Sequence, residues 1–381
     1  PALLLSMISF THFHPTRVLF GRGALKELGK ASEGLGRRAL VVTGRTFAVK
    51  HGYLDLIRKQ LEEKGVQVAS FSDVEPNPTL STVMRCAEAA QRASADFFVA
   101  FGGGSVLDTA KAANVVYTLG GRVEDYLYPK TVSGELRPLI AIPTTHGTGS
   151  EVTKYAVLVD EKTKMKVTVS GEALYPTVAL LDPEVLVHLP RDQAAATGLD
   201  ALSHAVEAYF SRRATPLSDM FALEASRIAA RYLPCAVEGI LECREWLLYA
   251  SLLAGYAINF TGTNVGHGLG YPLTTRYNLP HGLANAMILP GAAVYYEAYM
   301  PGRVETYLEY LGLKGMLGGL RELLTELKRL VGAPLRLREL GISERDLESL
   351  ASEGLRYQRN LQNSPFDFRE EHAKRILEIV Y

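Results

Sequence analysis

Short apolar runs alternate with helical patterns through the first half of the chain, and the alternation stops near residue 184. Arg38–Thr43 reads as a strand ended by Gly44, and residues 46–64 read as one helix. Val66–Phe71 reads as the next strand. The turn Asn77-Pro78-Thr79 leads into a helix to about Ser94, and Asp96–Phe101 is a buried strand broken by Gly102-Gly103-Gly104. Leu139–Pro143 is a further strand. Strands that alternate with helices predict a mostly parallel sheet with helices on both faces. Val185–His188 reads as a last extended piece, and from Pro190 onward nearly everything follows a 3.6-residue period. The fold class is therefore α/β followed by all-α, with an α/β domain over 1–184 and a helical domain over 185–381. A chain of 381 residues is long enough for two cores.

The glycine triplet opens a helix from about Val106 to Tyr117. Gly102, Gly103 and Gly104 let the backbone approach a pyrophosphate, and N–H groups at a helix start favour its charge. Ser105 is a candidate cap and phosphate donor. Asp108 and Lys111, at i and i+3, pair on that helix or orient its loop. A glycine triplet alone also fits a tight turn, and the G-x-G-x-x-G fingerprint is absent after the first strand. A second loop strengthens the ligand reading. Pro143-Thr144-Thr145-His146-Gly147-Thr148-Gly149-Ser150 leaves another strand and is crowded with hydroxyls and glycines. Two such loops at strand C-termini sit where open α/β sheets bind ligands.

Asp200 and His204 lie four residues apart in GLDALSHAVEAYF, so on a helix they point the same way. His267 and His281 bracket GHGLGYPLTTRYNLPHG, in segments punctuated by Gly and Pro that read as loops. Three imidazoles and one carboxylate suit a divalent transition metal such as iron or zinc. Taken alone, the Asp200–His204 pair fits an ordinary intrahelical hydrogen bond equally well. His12, His14, His51, His188 and His372 read as core or surface residues.

Lys plus Arg and Asp plus Glu both number 41, so net charge gives no reason to expect a nucleic-acid or anionic-membrane partner. Cys86, Cys235 and Cys243 form no CxxC. Their odd number argues against a disulfide framework and for a reducing, cytoplasmic home. The opening PALLLSMISF is neither a convincing signal peptide nor a span, and Met7 is a candidate native start. GILECREWLLYASLLAGYAINF is interrupted by Glu242, Arg244 and Glu245 and reads as a buried helix.

Together, GGGSVLDTAK, PTTHGTGSEVTKY, GLDALSHAVEAY, GHGLGYPL and LPHGLANAMILP resemble the iron-containing (group III) alcohol dehydrogenases, in that family's order over about residues 14–380. The resemblance implies an N-terminal dinucleotide domain, a C-terminal helical domain and a cleft between them. It implies metal ligands at Asp200, His204, His267 and His281, the metal being Fe2+ or Zn2+. It implies cofactor contacts at Asn77, Gly102 to Ser105, Thr144, Thr145, Thr148 and Lys166, with Tyr155 lining the cleft. A homodimer is the family expectation.

Three departures stand out. Tyr271 replaces a histidine common four residues after His267, and His146 replaces a residue commonly small. Gly44, followed by Arg45, replaces an Asp that binds ribose hydroxyls in NAD-preferring members. Loss of that anion favours NADP over NAD, because Arg45 can pair with a 2′-phosphate. The implied reaction is hydride transfer between a small alcohol or aldehyde and nicotinamide C4, the metal polarising the substrate oxygen. Tyr271 and His146 are candidate proton helpers, and Phe260, Asn264 and Tyr271 are candidate cleft residues. The alternatives are a hydroxyacid–oxoacid transhydrogenase and a dehydroquinate synthase-like lyase.

Overall fold

Six strands, all paired in parallel, form the central sheet of the computed structural model, which describes residues 8–381. Met7, the candidate start, lies outside the described residues. The strands are β1 (Arg17–Phe20), β2 (Arg38–Gly44), β3 (Gln67–Val74), β4 (Phe97–Gly102), β5 (Leu139–Pro143) and β8 (Val178–Leu181), in the order β1-β8-β5-β4-β2-β3. Strands β6 (Tyr155–Asp160) and β7 (Met165–Ser170) pair antiparallel as a separate hairpin. The runs are apolar because both faces of the sheet are covered. Ala39, Val41, Phe97, Val99, Ile140 and Ile142 belong to the core shared with the helical half. Their alternates Leu40, Val42, Phe98, Ala100, Leu139 and Ala141 belong to a second core on the other face.

Helices α1 (Tyr53–Glu62), α2 (Leu80–Ala93) and α3 (Gly104–Leu119) connect the strands. From β2 the chain moves outward to β3, then returns to place β4 on the other side of β2. The strand order therefore reverses between β2 and β4, whose C-terminal ends are Gly44 and Gly102. Such a reversal opens a ligand crevice in α/β sheets.

The second half is helical: α4 (Arg191–Tyr209), α5 (Pro216–Val237), α6 (Leu241–Thr261), α7 (Val265–Tyr277), α8 (His281–Tyr299) and shorter helices to the C-terminus. Helix α4 is buried almost all round from Ala194 onward. Its small residues (Ala194, Ala195, Ala196, Gly198, Ala201, Ala205) let neighbouring helices approach closely, as a central helix requires. The interrupted apolar run around residue 250 forms α6, and no described helix is long and apolar enough to cross a membrane.

Several local expectations are corrected. The single helix over 46–64 is two pieces, Phe47–Lys50 and α1, separated where Gly52 takes a left-handed φ of 73°. Val185–His188 is not extended. Pro183 and the Asp182 side chain, which accepts from the Glu184 N–H at 3.0 Å, start a 3-10 helix over Pro183–His188. Ser105 does not cap α3; Gly103 holds that position and no side chain caps it. Cys235 and Cys243 form a disulfide between the end of α5 and the start of α6, and Cys86 is free and buried. An odd cysteine count leaves one thiol over; it does not prevent the other two from pairing when two helices meet.

Candidate metal centre and cofactor crevice

Asp200 and His204 project from one face of α4, one turn apart, as their spacing requires. His267 and His281 are helical rather than loop residues. Asn264 caps α7 by accepting from the Val265 N–H at 2.5 Å, and α8 begins at His281 itself, after Pro280. The donor atoms of Asp200, His267 and His281 all lie within 4.8 Å of one another. Asp200 Oδ1 is 4.0 Å from His204 Nε2, 3.9 Å from His267 Nε2 and 3.8 Å from His281 Nε2. His204 Nε2 and His267 Nε2 are 3.1 Å apart.

The partners of the other ring nitrogens fix which lone pairs face inward. His204 Nδ1 lies 3.3 Å from the Gly147 carbonyl oxygen, and His267 Nδ1 lies 2.8 Å from Glu207 Oε1. A carbonyl and a carboxylate accept, so both Nδ1 atoms donate and both Nε2 atoms present bare lone pairs to each other. Facing lone pairs at that distance repel unless a proton, the Asn285 amide or a metal ion answers them. The donor set thus fits a divalent metal on its own chemistry. The Asn285 Nδ2 group lies 3.1 Å from Asp200 Oδ1, 3.0 Å from His267 Nε2 and 3.2 Å from His281 Nε2. Its two hydrogens face three acceptors, which again marks an acceptor-rich centre.

Electrostatics sort the three imidazoles. Burial lowers the pKa of His204, against the pull of Asp200. Burial also holds His281 well below the ordinary imidazole value, helped by His267 and Lys166. Both are therefore neutral, with a lone pair to give. Burial also opposes charge on His267, but Glu207 outweighs it through its charge and hydrogen bond, so His267 is raised. Glu207 makes His267 Nε2 a better cation acceptor in the same way. Glu207 is held in turn by the Asn264 backbone N–H, and Tyr296 donates to Asn264 Oδ1 at 2.5 Å.

Sequence reasoning missed Glu207 and Asn285, though a signal existed. Asp200, His204 and Glu207 follow an i, i+4, i+7 stripe, and Asn285 stands one turn after His281. Of the cleft candidates, Tyr271 stacks on His281 with ring centroids 5.6 Å apart and meets His267 edge-on at 5.9 Å. Burial pushes its phenol pKa up, so it is a neutral donor. Asn264 is fully buried with its N–H donating to Glu207, and Phe260 stacks on His12.

His146 is fully buried, with Nδ1 3.3 Å from Thr197 Oγ1 and no partner at Nε2. Its neighbour Gly147 makes the contact with His204. Burial lowers the His146 pKa to about 4 from 6.5. Between those values the unfolded chain binds more protons than the folded one. The stability that the neutral imidazole represents is full above pH 6.5 and falls as pH drops towards 4. His146→Leu is expected to flatten that acid slope by up to about 3 kcal/mol. Urea melts at about pH 7 and about pH 4.5 measure it; parallel slopes for both proteins would refute the assignment.

The crevice residues gather at the C-terminal ends of β2, β4 and β5. Thr145 and Thr148 pack against the glycine loop so closely that a Cβ at Gly104 would lie 2.5 Å from Thr148 Cγ2. The Thr144 N–H donates to the Gly102 carbonyl at 3.0 Å. Asp108 and Lys111 do not pair with each other; both brace the following loop. Asp108 accepts from Ser150 Oγ at 2.5 Å and the Val157 N–H at 2.8 Å. Lys111 Nζ donates to Ser150 Oγ, the Thr153 carbonyl and the Tyr155 carbonyl at 2.8–3.0 Å. Lys166, on β7, donates to Asn77 Oδ1 at 2.6 Å, and burial lowers its pKa to about 8. Arg45, next to Gly44, pairs with Asp73 at 2.8 Å and Glu75 at 3.8 Å on the exposed rim.

Comparison with known proteins agrees with this geometry. The profile of iron-containing alcohol dehydrogenases matches residues 15–183, and the C-terminal profile of the Fe-containing alcohol dehydrogenase family matches residues 194–381. The NAD-dependent methanol dehydrogenase of Bacillus methanolicus is 36% identical over 349 residues, covering 89% of this chain and 91% of that protein. The NADPH-dependent butanol dehydrogenase of Clostridium saccharobutylicum is 31% identical over 378 residues, covering 96% and 97%. The crystal structure of an iron-containing alcohol dehydrogenase from Thermotoga maritima superposes with a TM-score of 0.88 at 37% identity, covering 98% of this chain and 99% of that one. These relatives do not favour the transhydrogenase or lyase alternatives. The chain belongs to the iron-containing alcohol dehydrogenase family, whose members pass a hydride between a nicotinamide cofactor and an alcohol or aldehyde.

Proposed function

We propose that this chain is an NADP-preferring alcohol dehydrogenase and aldehyde reductase that uses iron or zinc held by Asp200, His204, His267 and His281. Residues 1–184 serve as its cofactor half and residues 185–381 as its metal and substrate half. The observation that carries the reading is the convergence of the bare Nε2 lone pairs of His204 and His267 beside Asp200 and His281. A divalent ion there would polarise the substrate oxygen, and a bound nicotinamide would supply or accept the hydride. The protein's own residues do the rest. Glu207 and the Gly147 carbonyl hold two imidazoles in the required tautomer. The loops at Gly102–Ser105 and Thr144–Thr148 offer backbone N–H groups and hydroxyls to a dinucleotide, with Asn77, Lys166 and Tyr155 on the facing wall. Asp108 acts behind this wall by bracing Ser150 and strand β6, which carries Tyr155. The Tyr271 phenol, stacked on His281, is placed to pass a proton, whereas His146 acts through packing.

Iron and zinc both accept this donor set, so metal identity rests on analysis of protein loaded with each ion. Metal-loaded protein assayed with an alcohol and aldehyde panel tests the whole reading. Turnover independent of metal, or none with either nicotinamide, would contradict it.

The NADP preference rests on Gly44 and Arg45. A Cβ at Gly44 would find only ordinary contacts, the Val74 carbonyl at 3.7 Å and Val106 at 3.9 Å. Gly44→Asp is therefore expected to fold normally and place an anion where a 2′-phosphate would lie. The ratio of kcat/KM with NADPH to that with NADH should fall by at least about 10-fold, or about 1.4 kcal/mol. An unchanged ratio would place cofactor discrimination elsewhere. We further read the enzyme as a cytoplasmic homodimer from the family resemblance, although the Cys235–Cys243 disulfide removes the cysteine argument for that compartment.

A further inference from the structure

A pocket of about 630 Å3 lies where the sheet half meets the helical half, and its charge is lopsided. Lys154, Arg213 and Arg359 line it against the single carboxylate of Glu172. None of the three cations forms an ion pair among the described residues, whereas Arg22, Arg212, Arg276 and Arg375 each pair with a carboxylate. Arg359 is the informative one. It is half-buried, and its guanidinium stacks over Tyr155 at 4.9 Å and Tyr128 at 5.6 Å. Among the described residues its one side-chain polar contact is a 3.5 Å approach to Thr168 Oγ1, at the limit of a hydrogen bond. Aromatic contacts hold the faces of the fork, while its N–H edges remain largely uncommitted. A half-desolvated guanidinium without a carboxylate is costly unless something anionic completes it.

The pocket is continuous with the metal set through packed side chains. Asn360, beside Arg359, donates to Thr263 Oγ1 at 2.7 Å and packs against Gly268, where a Cβ would lie 3.7 Å from Asn360 Cβ, and Tyr357, two residues before Arg359, meets the Tyr271 ring edge-on at 4.9 Å. Tyr271 stacks on His281.

We infer that Arg359 is a substrate-recognition residue and that the alcohol or aldehyde taken here carries a carboxylate at the end remote from the reacting carbon. This rests on the dehydrogenase reading above but goes beyond it, since a neutral alcohol would leave the guanidinium unanswered. A carboxylate matches the fork in two parallel hydrogen bonds, and Lys154 and Arg213 add attraction at the rim.

The test compares 4-oxobutanoate with butanal, substrates of equal chain length, using metal-loaded protein and NADPH. Wild type should favour 4-oxobutanoate by at least about 10-fold in kcat/KM, mostly through KM. Arg359→Met should cut that preference by about 10- to 100-fold, and Arg359→Lys should restore only part of it. Butanal used equally well by wild type, or a preference unmoved by Arg359→Met, would overturn the inference. A second readout needs no turnover: calorimetric binding of 4-hydroxybutanoate to wild type and Arg359→Met. Binding that weakens in the variant supports the assignment, and equal binding overturns it. If neither aldehyde is reduced, the dehydrogenase reading fails while the binding comparison still decides the role of Arg359.

Discussion

His267→Ala protein is expected to fold, to retain little iron or zinc, and to lose alcohol dehydrogenase turnover. His267 stands at the middle of the set, with Nε2 3.1 Å from His204 Nε2 and 3.9 Å from Asp200 Oδ1. Its removal leaves three donors and strands the Glu207 carboxylate, whose Oε1 accepts from His267 Nδ1 at 2.8 Å. A buried acceptor without its donor costs about 1–3 kcal/mol, so the variant should melt earlier yet remain native. Activity should fall by at least about 1000-fold, because several kcal/mol of charge stabilisation at the substrate oxygen are lost and each 1.36 kcal/mol is tenfold. Elemental analysis of dialysed protein and kcat/KM on one good substrate are the measurements. Metal-free His267→Ala with full turnover would sink the mechanism.

Gly282→Ala should be nearly as damaging without touching a proposed ligand. A Cβ at Gly282 would lie 2.0 Å from the Ala196 carbonyl oxygen and 2.6 Å from Asp200 Cβ. Those atoms are α4 backbone and the root of a ligand side chain, so neither can swing aside. Helix α8 must retreat from α4, carrying His281 away from Asp200, its partner at 3.8 Å. Overpacking of this kind costs roughly 1–3 kcal/mol in stability. Metal affinity should fall by at least about 10- to 100-fold, the loss typical when the groups that orient a ligand are disturbed. Gly302→Ala is the matched control, since a Cβ there meets nothing within 4 Å. Competition with a chelator gives the affinity, and equal values for Gly282→Ala and wild type would show that the helices accommodate the methyl group.

The readable parts of this protein were those where one period or one spacing carries the information. Strand β5 appears at Leu139–Pro143, as its apolar run implied, β2 extends by one residue through Gly44, and β4 is shifted by one residue to Phe97–Gly102. Asp200 and His204 share a face because four residues make about one helical turn. Short elements were harder. Four-residue β1 and β8 carry too few residues to show a period, yet β8 lies between β1 and β5 and completes the sheet. The β6–β7 hairpin, which carries Tyr155 and Lys166, went unread although Tyr155–Val159 is an apolar run and both strands alternate in burial.

The site divides along the same line. Sequence supplied the candidate donors of the metal set by spacing and family resemblance, but it assigned His267 and His281 to loops. Gly and Pro normally break helices, and here Asn264 and Pro280 start them instead. It also missed the Cys235–Cys243 pairing, which depends on two helix ends meeting across eight residues.

By itself, then, the sequence determined the two-part architecture, the parallel sheet, the family and the residues available to hold a metal. These follow from local periodicity and ordered motifs. Tertiary structure alone decided that Glu207 orients His267 and that His146 packs in the core. It also decided that Asp108 and Lys111 brace a loop rather than pair, and that Arg359 has no carboxylate partner among the described residues. Each of these depends on what surrounds a charge or a lone pair. Burial and partner choice arise between segments far apart in the chain, where no local pattern records them.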